Sequence, residues 1–464
     1  MHIRLEILVG VLHDANVLTG RKFRLYPTGA QAGILARWIG CQRVIRNAKI
    51  DETHLNFWLR RFSKFSARSG ADEENGFDQG YCHFATEVNP WLREVPCQIL
   101  RNGVYRAKDA FVRYWKGEAG RPVPRGKNSG ESVLLTGELF TIADGKLTIG
   151  TQKYPVGVVR WMAHRDFSAP KMLTITRCGD GAWYASFTCE DGAVVPTAEE
   201  LLIQHSFAAE TSVLALDRGV ANPLVDSDGR FYGLETKRTA RLARLQGRKV
   251  RLQQKLTRQK KGSANRRKTK QRLARIARRT GDLLADWRHQ TTARIAASPH
   301  RVVALEDLRL ANMTRTVKAK PNPAASAQGQ PDFLPNGGSA KTGLNRVMLQ
   351  VGLGNLSTLL QYKARRAGQA FLTVSPHHSS QECSQCTHTS PDNRPTQAEF
   401  YCQACGHQTH ADYNAAVVLR KRAHSSIQQH RPAGTVGRKT PARVRSTSPS
   451  IRKPPPQRSR AGGR

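Results

Sequence analysis

Two closely spaced pairs of cysteines near the C-terminal end constrain the fold of this chain more than any other feature. The pairs follow the pattern C-x2-C, fifteen intervening residues, C-x2-C, and consist of Cys383, Cys386, Cys402 and Cys405. Two such knuckles offer four thiolates to one tetrahedral zinc ion, which closes the coordination sphere and makes the site structural. His407 and His410 are alternative ligands, but we expect four sulfurs. Asp412 follows at the predicted start of a helix, so the pattern predicts a zinc ribbon beside a carboxylate.

Basic residues are in large excess. The 464 residues include 74 Lys and Arg against 35 Asp and Glu, a formal net charge of +39. Such an excess repels itself unless a polyanion neutralises it. Between residues 236 and 279 there are nineteen Lys and Arg and no acid, so helical pairing at i+4 is impossible there. A solvated helical hairpin is the alternative, but we favour nucleic-acid binding. The predicted contacts are Lys22, Arg24, Arg43, Arg46, Arg244, Arg248, Lys255, Lys260, Arg266, Arg267 and Arg272.

The remaining cysteines and the apolar runs bear on the cellular compartment. Nine cysteines in all, an odd number that includes a zinc-type cluster, indicate a reducing environment rather than a disulfide framework. The apolar run at residues 5–12 is too short to cross a bilayer, and no cleavage signal follows it. We therefore expect a cytoplasmic protein with no membrane partner.

The hydrophobic periodicity changes along the chain. Residues 22–28 alternate like a strand and precede a helical pattern, and hairpins are predicted at 139–149 and 172–189. These strands predict a small β-barrel with helices inserted into it. A second domain begins near residue 211, with two long helices from 236 to 298 and one helix over 344–367. Residues 314–343 carry no periodic signal, which predicts a mobile lid or disorder.

Three carboxylates are placed at the ends of predicted elements. Asp217 and Glu306 each close an apolar strand, and Asp412 opens a helix. Phosphodiester hydrolysis is often catalysed by two divalent ions about 4 Å apart, and such hard ions bind carboxylate oxygens. The three acids are therefore predicted to hold two hard divalent ions, with Asp307 as a rival to Glu306 for the ligand role.

Several of these segments together resemble the TnpB family of transposon-encoded RNA-guided nucleases, which is similar to the small type V CRISPR effectors. The resemblance runs from about residue 20 to 423. The matching motifs are Lys22-Phe23-Arg24-Leu25-Tyr26-Pro27-Thr28, Leu216-Asp217-x-Gly219, Leu305-Glu306-Asp307-Leu308, Cys402-x-x-Cys405-Gly406-His407 and Asp412-x-Asn414-Ala415-Ala416.

The resemblance implies an α+β multidomain fold, in which a wedge β-barrel with an inserted helical recognition module precedes a RuvC nuclease domain with an inserted zinc ribbon. The implied divisions are an extension (1–20), the barrel (21–40 and 125–205), the helical module (41–124), the ribonuclease-H-like RuvC domain (206–380 and 407–423), the ribbon (381–406) and a disordered basic tail (424–464).

The resemblance also implies partners and cofactors. It implies a guide RNA, a double-stranded DNA target, two Mg²⁺ held by the three acids, one Zn²⁺, and a monomer or homodimer on one RNA in a prokaryotic, nucleoid-associated setting. The alternatives are an RNA-guided repressor that does not cut and an RNA-independent transposase accessory protein. The chain departs from the family pattern in two places, because Thr387 replaces a glycine and His410-Ala411 replaces an Asp-Arg pair before the last acid. The second change removes a charge partner for the transition state.

Overall fold

The computed structural model describes residues 18–62, 77–127, 130–322 and 333–431. The predicted extension up to residue 17 and the predicted tail beyond residue 431 lie outside this part of the chain. In the N-terminal half the elements are β1 (Leu18–Tyr26), α1 (Gly29–Phe62), α2 (Cys97–Trp115), β2 (Glu131–Thr136), β3 (Phe140–Ala143), β4 (Lys146–Gly150), β5 (Pro155–Met162), β6 (Pro170–Arg177) and β7 (Trp183–Glu190).

The first seven strands form one antiparallel sheet in the order β2-β6-β7-β1-β5-β4-β3, curled into a nearly closed barrel. Period-two alternation on β1 points Phe23 and Leu25 into the core, where each is 1% exposed. The turn between β3 and β4 uses Asp144 and Gly145, both at positive φ, which suits a tight two-residue hairpin turn. Both predicted hairpins are therefore present.

Helices α1 and α2 lie between β1 and β2 in sequence and pack against each other and against the barrel. The predicted division at residue 40 is corrected here, because α1 runs unbroken from Gly29 to Phe62. No proline interrupts it, and its glycines lie in open space on the helix surface. The predicted end of the extension is corrected as well, since β1 already begins at Leu18.

The C-terminal half contains a second sheet, a long helical hairpin and the ribbon. Its elements are α3 (Ala198–Gln204), β8 (Val213–Asp217), β9 (Val225–Asp226), α4 (Thr236–Thr257), α5 (Ala264–Ala296), β10 (Val302–Glu306), α6 (Leu310–Met313), β11 (Lys320–Pro321), β12 (Phe333–Leu334), α7 (Gly338–Val351), α8 (Leu353–Arg366), β13 (Ala370–Val374), β14 (Glu399–Tyr401), β15 (Gln408–His410) and α9 (Ala411–Gln428).

Strands β13, β10 and β8 are parallel neighbours, and β9 is added antiparallel to β8. Helices cover both faces of this sheet, as parallel strands require. One face packs on Leu419, Ala423 and Ile427 of α9, and the other packs on α5, α7 and α8 around Trp287. The sheet thereby presents the carboxyl ends of β8 and β10 at one edge, where α9 begins.

Three predictions about this half are corrected by the structure. The single helix expected over 344–367 is two helices, because Gly352 has φ +74° and a Cβ there would lie 2.9 Å from an Arg288 guanidinium nitrogen. Residues 314–343 are not uniformly irregular, since β11 and β12 pair and α7 already begins at Gly338. Helix α9 continues to Gln428, so the first residues assigned to the tail are helical.

Among the helices that the structure describes, none combines the length and the apolar character needed to cross a membrane.

Candidate functional site

The edge of the second sheet brings two of the predicted acids together. Leu216 on β8 is paired with Leu305 on β10, so Asp217 and Glu306 follow side by side at the ends of two parallel strands. Asp412 reaches the same edge from the first turn of α9. Asp307, the rival candidate, is exposed, while Glu306 is only 5% exposed. The structure therefore brings together the three acids that were predicted and leaves Asp307 at the surface.

The two strand acids, Asp217 and Glu306, have strongly shifted pKa values. Burial raises the pKa of Asp217 well above its usual value, and the charges of Glu306 and Asp412 raise it further. Burial also raises the pKa of Glu306 to about 7, although Arg218 opposes the shift. Negative charges crowded in a poorly solvated place must either hold protons or share a cation. Strongly shifted pKa values of this kind cluster at functional sites.

Asp412 is held by two side chains that the sequence analysis missed. Its Oδ2 accepts a hydrogen bond from the Asn222 amide at 2.9 Å, and its Oδ1 is 3.1 Å from a guanidinium nitrogen of Arg394. Arg394 comes from the ribbon, eighteen positions before Asp412 in sequence. No local pattern announces it, because the chain folds back through the ribbon before the contact forms. The guanidinium that is lacking at position 411 is thus supplied to this carboxylate from position 394.

Arg218 is a third residue that the sequence analysis missed. It is 9% exposed, its backbone N–H donates to the Glu306 carboxylate at 3.0 Å, and its guanidinium donates to the Leu353 carbonyl oxygen at 3.2 Å. It also donates to the backbone carbonyl oxygen of Glu306. Its position next to Asp217 was the available signal, since a cation directly after a predicted acid is a natural counter-charge. Arg218 therefore fixes how Glu306 faces the site.

The donor set suits a hard divalent cation. Carboxylate oxygens are the preferred ligands of Mg²⁺, and the three acids come from separate rigid elements that hold them in place. The pKa values of Asp217 and Glu306 are raised chiefly by burial, so the charged forms that a cation would bind are poorly solvated here. Asp217, Glu306 and Asp412 therefore fit a site for divalent ions.

The four cysteines form a compact cluster. Their sulfur atoms all lie within 4.8 Å of one another, and the closest pairs are Cys383–Cys405 at 3.7 Å and Cys386–Cys402 at 3.5 Å. Zinc–sulfur bonds of about 2.3 Å in a tetrahedron place sulfurs about 3.8 Å apart. Although burial opposes the shift, backbone N–H groups lower the pKa of Cys402 to about 6, which favours a thiolate at that position. The pKa values of Cys383 and Cys405 are raised instead, so the thiolates of the cluster do not form independently. Within the described ranges, this is the one group of His, Cys, Asp or Glu residues arranged around a single ion.

Neither histidine near the cluster belongs to it. His410 caps α9, where its Nδ1 accepts the Asp412 backbone N–H at 3.2 Å. His407 lies with its Nε2 3.5 Å from the Ser384 hydroxyl. These contacts leave the cysteines as the cluster that the spacing predicted.

A row of cations and aromatic rings crosses the outer face of the barrel. The Lys22 ammonium lies 4.3 Å and the Arg24 guanidinium 4.9 Å from the ring centre of Tyr184, and Arg160 lies 4.8 Å from that of Tyr26. Among the described residues, none of these three cations has a hydrogen-bonded or ion-paired carboxylate. We call these five residues the barrel ladder. Unpaired cations held against aromatic rings are suited to contact a phosphate backbone.

The other predicted nucleic-acid contacts divide into two groups. Arg46 is 7% exposed and donates to the Val123 carbonyl oxygen in the linker between α2 and β2, which covers it, and burial lowers its pKa to about 10. Arg266 is partly buried and donates to the carbonyl oxygens of Leu256 and Gln259, where it closes the end of α4. These two predictions are corrected to structural roles. The remaining members are exposed or half-buried, namely Arg43, Arg244, Arg248, Lys255, Lys260, Arg267 and Arg272.

Comparison with known proteins gives three family matches. Residues 199–317 match the OrfB_IS605 family, described as a probable transposase, and residues 16–52 match its helix-turn-helix domain. Residues 354–419 match the TNB domain of Cas12f1-like proteins. The third match spans the ribbon and the start of α9, and the second includes β1.

Relatives and a solved structure match over most of the chain. InsQ of Escherichia coli (strain K12), named as an RNA-guided DNA endonuclease, is 27% identical over 88% of this chain and 92% of its own. A protein of Streptomyces pristinaespiralis with the same type of name is 26% identical over 85% of this chain and 87% of its own. The cryo-EM structure of a Cas12f1–sgRNA–target DNA complex covers 87% of this chain and 98% of that protein, with a TM-score of 0.51 and 11% identity. This last likeness concerns the fold.

Proposed function

We propose that this chain, which belongs to the TnpB family, is an RNA-guided DNA endonuclease whose cutting site is formed by Asp217, Glu306 and Asp412. The observation that carries the site assignment is the meeting of these three acids at one sheet edge, with the pKa of both strand acids raised. The names of the relatives that match along most of the chain support the activity.

In the proposed reaction the acids hold the metal ions, and neighbouring side chains orient the acids. Asp217, Glu306 and Asp412 would hold two Mg²⁺ ions, which would activate water and stabilise the negative charge that develops on the phosphate during cleavage. Asn222 orients the Asp412 carboxylate, and Arg218 orients the Glu306 carboxylate. Packing keeps the elements that carry these two acids rigid.

Arg394 has a separate part in the proposed mechanism. Its guanidinium contacts Asp412 from the side of the ribbon and is one-quarter exposed. A fixed guanidinium beside the carboxylates would bind a phosphate oxygen of the DNA strand and stabilise the charge that develops there. Arg394 would thereby take the role of the arginine that the family pattern has where this chain has Ala411.

The cysteine cluster is proposed to hold one Zn²⁺ that folds the ribbon. The sulfur separations fit a tetrahedral ion, and the ribbon's apolar core consists of only Cys383, Phe400, Cys402 and Ala411. A core of that size does not fold a segment without a metal.

The barrel ladder and the basic hairpin of α4 and α5 are proposed as the surfaces that bind RNA and DNA backbones. The two surfaces meet where Arg278 of α5 forms an ion pair with Asp180 of the barrel at 2.8 Å. The same guanidinium interacts electrostatically with Tyr184, so the hairpin lies beside the barrel ladder at this point. Base pairing with the guide would supply sequence recognition, while these cations hold the backbones.

The decisive experiment compares DNA cutting by the wild type and by Asp217→Asn, with guide RNA and Mg²⁺ supplied. We expect Asp217→Asn to slow cleavage by at least about 100-fold while RNA-dependent DNA binding is retained. Asp307→Asn is the matched control, because that carboxylate is exposed beside the site and its loss is expected to have no effect. Equal cutting by wild type and Asp217→Asn would eliminate the assigned site. Binding without cutting by the wild type would favour the repressor alternative.

A further inference from the structure

The first cysteine knuckle is attached to the helix that carries Asp412 through one buried amide. Asn414 lies two residues after Asp412 in α9 and is fully buried. Its Oδ1 accepts the backbone N–H of Ser384 at 2.9 Å, and its Nδ2 donates to the carbonyl oxygen of Glu382 at 2.7 Å. These two backbone groups flank Cys383. One side chain therefore holds the knuckle on both sides of its first cysteine.

The chemistry of this contact is specific to asparagine. A carboxamide offers one acceptor and one pair of donor hydrogens at the separation that the two backbone groups require. An aspartate would place an oxygen against the Glu382 carbonyl, and an apolar residue would leave both backbone groups unpaired. A buried polar group left without a partner costs about 1–3 kcal/mol, so the contact resists distortion.

The same helix holds the knuckle at a later point as well. The Lys421 ammonium donates to the carbonyl oxygen of Ser384 at 2.6 Å, and Arg422 is ion-paired with the Glu382 carboxylate. Asn414 and Lys421 are seven residues apart and so lie on the same face of α9. This face is thus committed to the ribbon rather than to the sheet.

The ribbon returns a contact to the acid site. Arg394 reaches Asp412, and the neighbouring Asn393 is fully buried inside the ribbon. The Asn393 amide donates to the Gln381 and His388 carbonyl oxygens and accepts the Gln403 N–H, which ties the two knuckles together. Asp412 is therefore positioned by the ribbon from two directions, through α9 and through Arg394.

We propose that Asn414 is a positioning residue that couples the first cysteine knuckle to Asp412, so that ion binding at the carboxylates depends on the folded ribbon. This inference rests on the proposed function, because it assumes that the three acids hold divalent ions. The ribbon has too small a core to hold its shape without the ion at its cysteines. Loss of that ion would release the knuckle and the Asn414 contacts, and Asp412 would lose its fixed position on α9.

The test measures Mn²⁺ binding to the full chain without RNA, by electron paramagnetic resonance of the free ion. The site-specific part of the binding is the part that Asp217→Asn removes. Asn414→Leu keeps the branched shape and heavy-atom count of the side chain and removes both hydrogen bonds, and we expect it to raise the Mn²⁺ Kd about 10- to 100-fold, as losses of supporting ligand contacts do. Asn102→Leu is the matched control, because Asn102 is also buried and donates to a backbone carbonyl, but lies in the helical module.

Zinc content and a second set of variants separate coupling from simple damage. Cys386→Ser, which removes one ligand of the cluster, is expected to weaken Mn²⁺ binding to a similar extent. The double variant that combines Cys386→Ser with Asn414→Leu is expected to bind Mn²⁺ no more weakly than the weaker-binding of the two single variants, since both changes break the same connection. Lys421→Met removes a single bond to the same knuckle and is expected to have a smaller effect, which keeps the test available if Asn414→Leu fails to fold.

Wild-type Mn²⁺ affinity in folded Asn414→Leu, or in Cys386→Ser, would overturn the coupling. Additive losses in the double variant would overturn it too, because independent effects add. A wild type with no Mn²⁺ binding that depends on Asp217 would instead remove the proposed carboxylate site. The two failures therefore give different results.

Discussion

Removal of the Arg394 guanidinium is expected to change ion binding and DNA cleavage in opposite directions. The substitution Arg394→Met removes the guanidinium but keeps a flexible side chain of similar length. In the structure the guanidinium nitrogen is 3.1 Å from the Asp412 Oδ1, an oxygen that a divalent ion would share. The Arg394 guanidinium therefore competes with a divalent ion for the Asp412 carboxylate. In the proposed mechanism the same guanidinium also neutralises negative charge on the phosphate.

The size of the first effect follows from the geometry. Unit charges 4 Å apart interact by about 4 kcal/mol at an effective dielectric constant of 20, and a divalent ion doubles the repulsion. Arg394 is 25% exposed, so solvent screens most of this energy, and Asp412 also loses a hydrogen bond that orients it. We expect a net tightening of Mn²⁺ binding of about tenfold or less, which corresponds to about 1.4 kcal/mol.

The second effect has the opposite sign. Removal of one fixed donor to a developing negative charge typically slows an enzyme by about 100- to 1000-fold. The assay is single-turnover DNA cleavage at saturating Mg²⁺, with Mn²⁺ binding measured on the same preparations. Arg101→Met is the control, because Arg101 is ion-paired with Glu138 at 2.6 Å in the helical module. Cleavage at the wild-type rate in Arg394→Met would refute the charge-partner reasoning, and weaker Mn²⁺ binding would refute the competition argument.

Three further outcomes are expected. Thr387 has φ +65°, a left-handed conformation that costs a side chain about 1 kcal/mol or more, so Thr387→Gly should raise the melting temperature of the zinc-loaded protein, and a lower one would contradict this. Burial raises the pKa of Glu306 to about 7, so Mn²⁺ affinity should increase as pH rises through 7. Without metal, the raised pKa of Glu306 contributes to the free energy of unfolding fully below the usual pKa of 4.5, and this contribution is lost as pH rises through 7. Calorimetry across pH can check the second expectation. Tyr184→Leu removes the ring that holds two ladder cations and should weaken RNA binding about fivefold in fluorescence anisotropy, whereas Tyr154→Leu, which frees Lys153 off the ladder, should leave it unchanged.

The sequence anticipated the elements whose signals are local. The cysteine spacing predicted the cluster, because two knuckles need only a few residues each to present their sulfurs. Period-two alternation predicted both barrel hairpins, and the apolar runs that end in Asp217 and Glu306 predicted two buried strands. Hydrophobic periodicity predicted two long helices from 236 to 298, and α4 and α5 are those helices.

Predictions that depended on tertiary packing were less successful. Arg46 and Arg266 were counted as surface charges, but the linker and the end of α4 supply carbonyl oxygens that cover them. The helix over 344–367 was predicted as one element because its periodicity continues through Gly352. The packing of Arg288 against that glycine is what breaks it, and Arg288 lies more than sixty residues earlier.

By itself the sequence determined which residue types were available: four sulfurs in register for one zinc, three acids at element ends, and a cationic excess that requires an anionic partner. Only the tertiary structure decided how the acids are supported. Parallel pairing of β8 and β10 sets Asp217 beside Glu306, and the return of the ribbon brings Arg394 and the Asn414 contacts to Asp412. These contacts join residues distant in sequence, and their energy comes from burial and hydrogen bonds that exist only after the chain has folded.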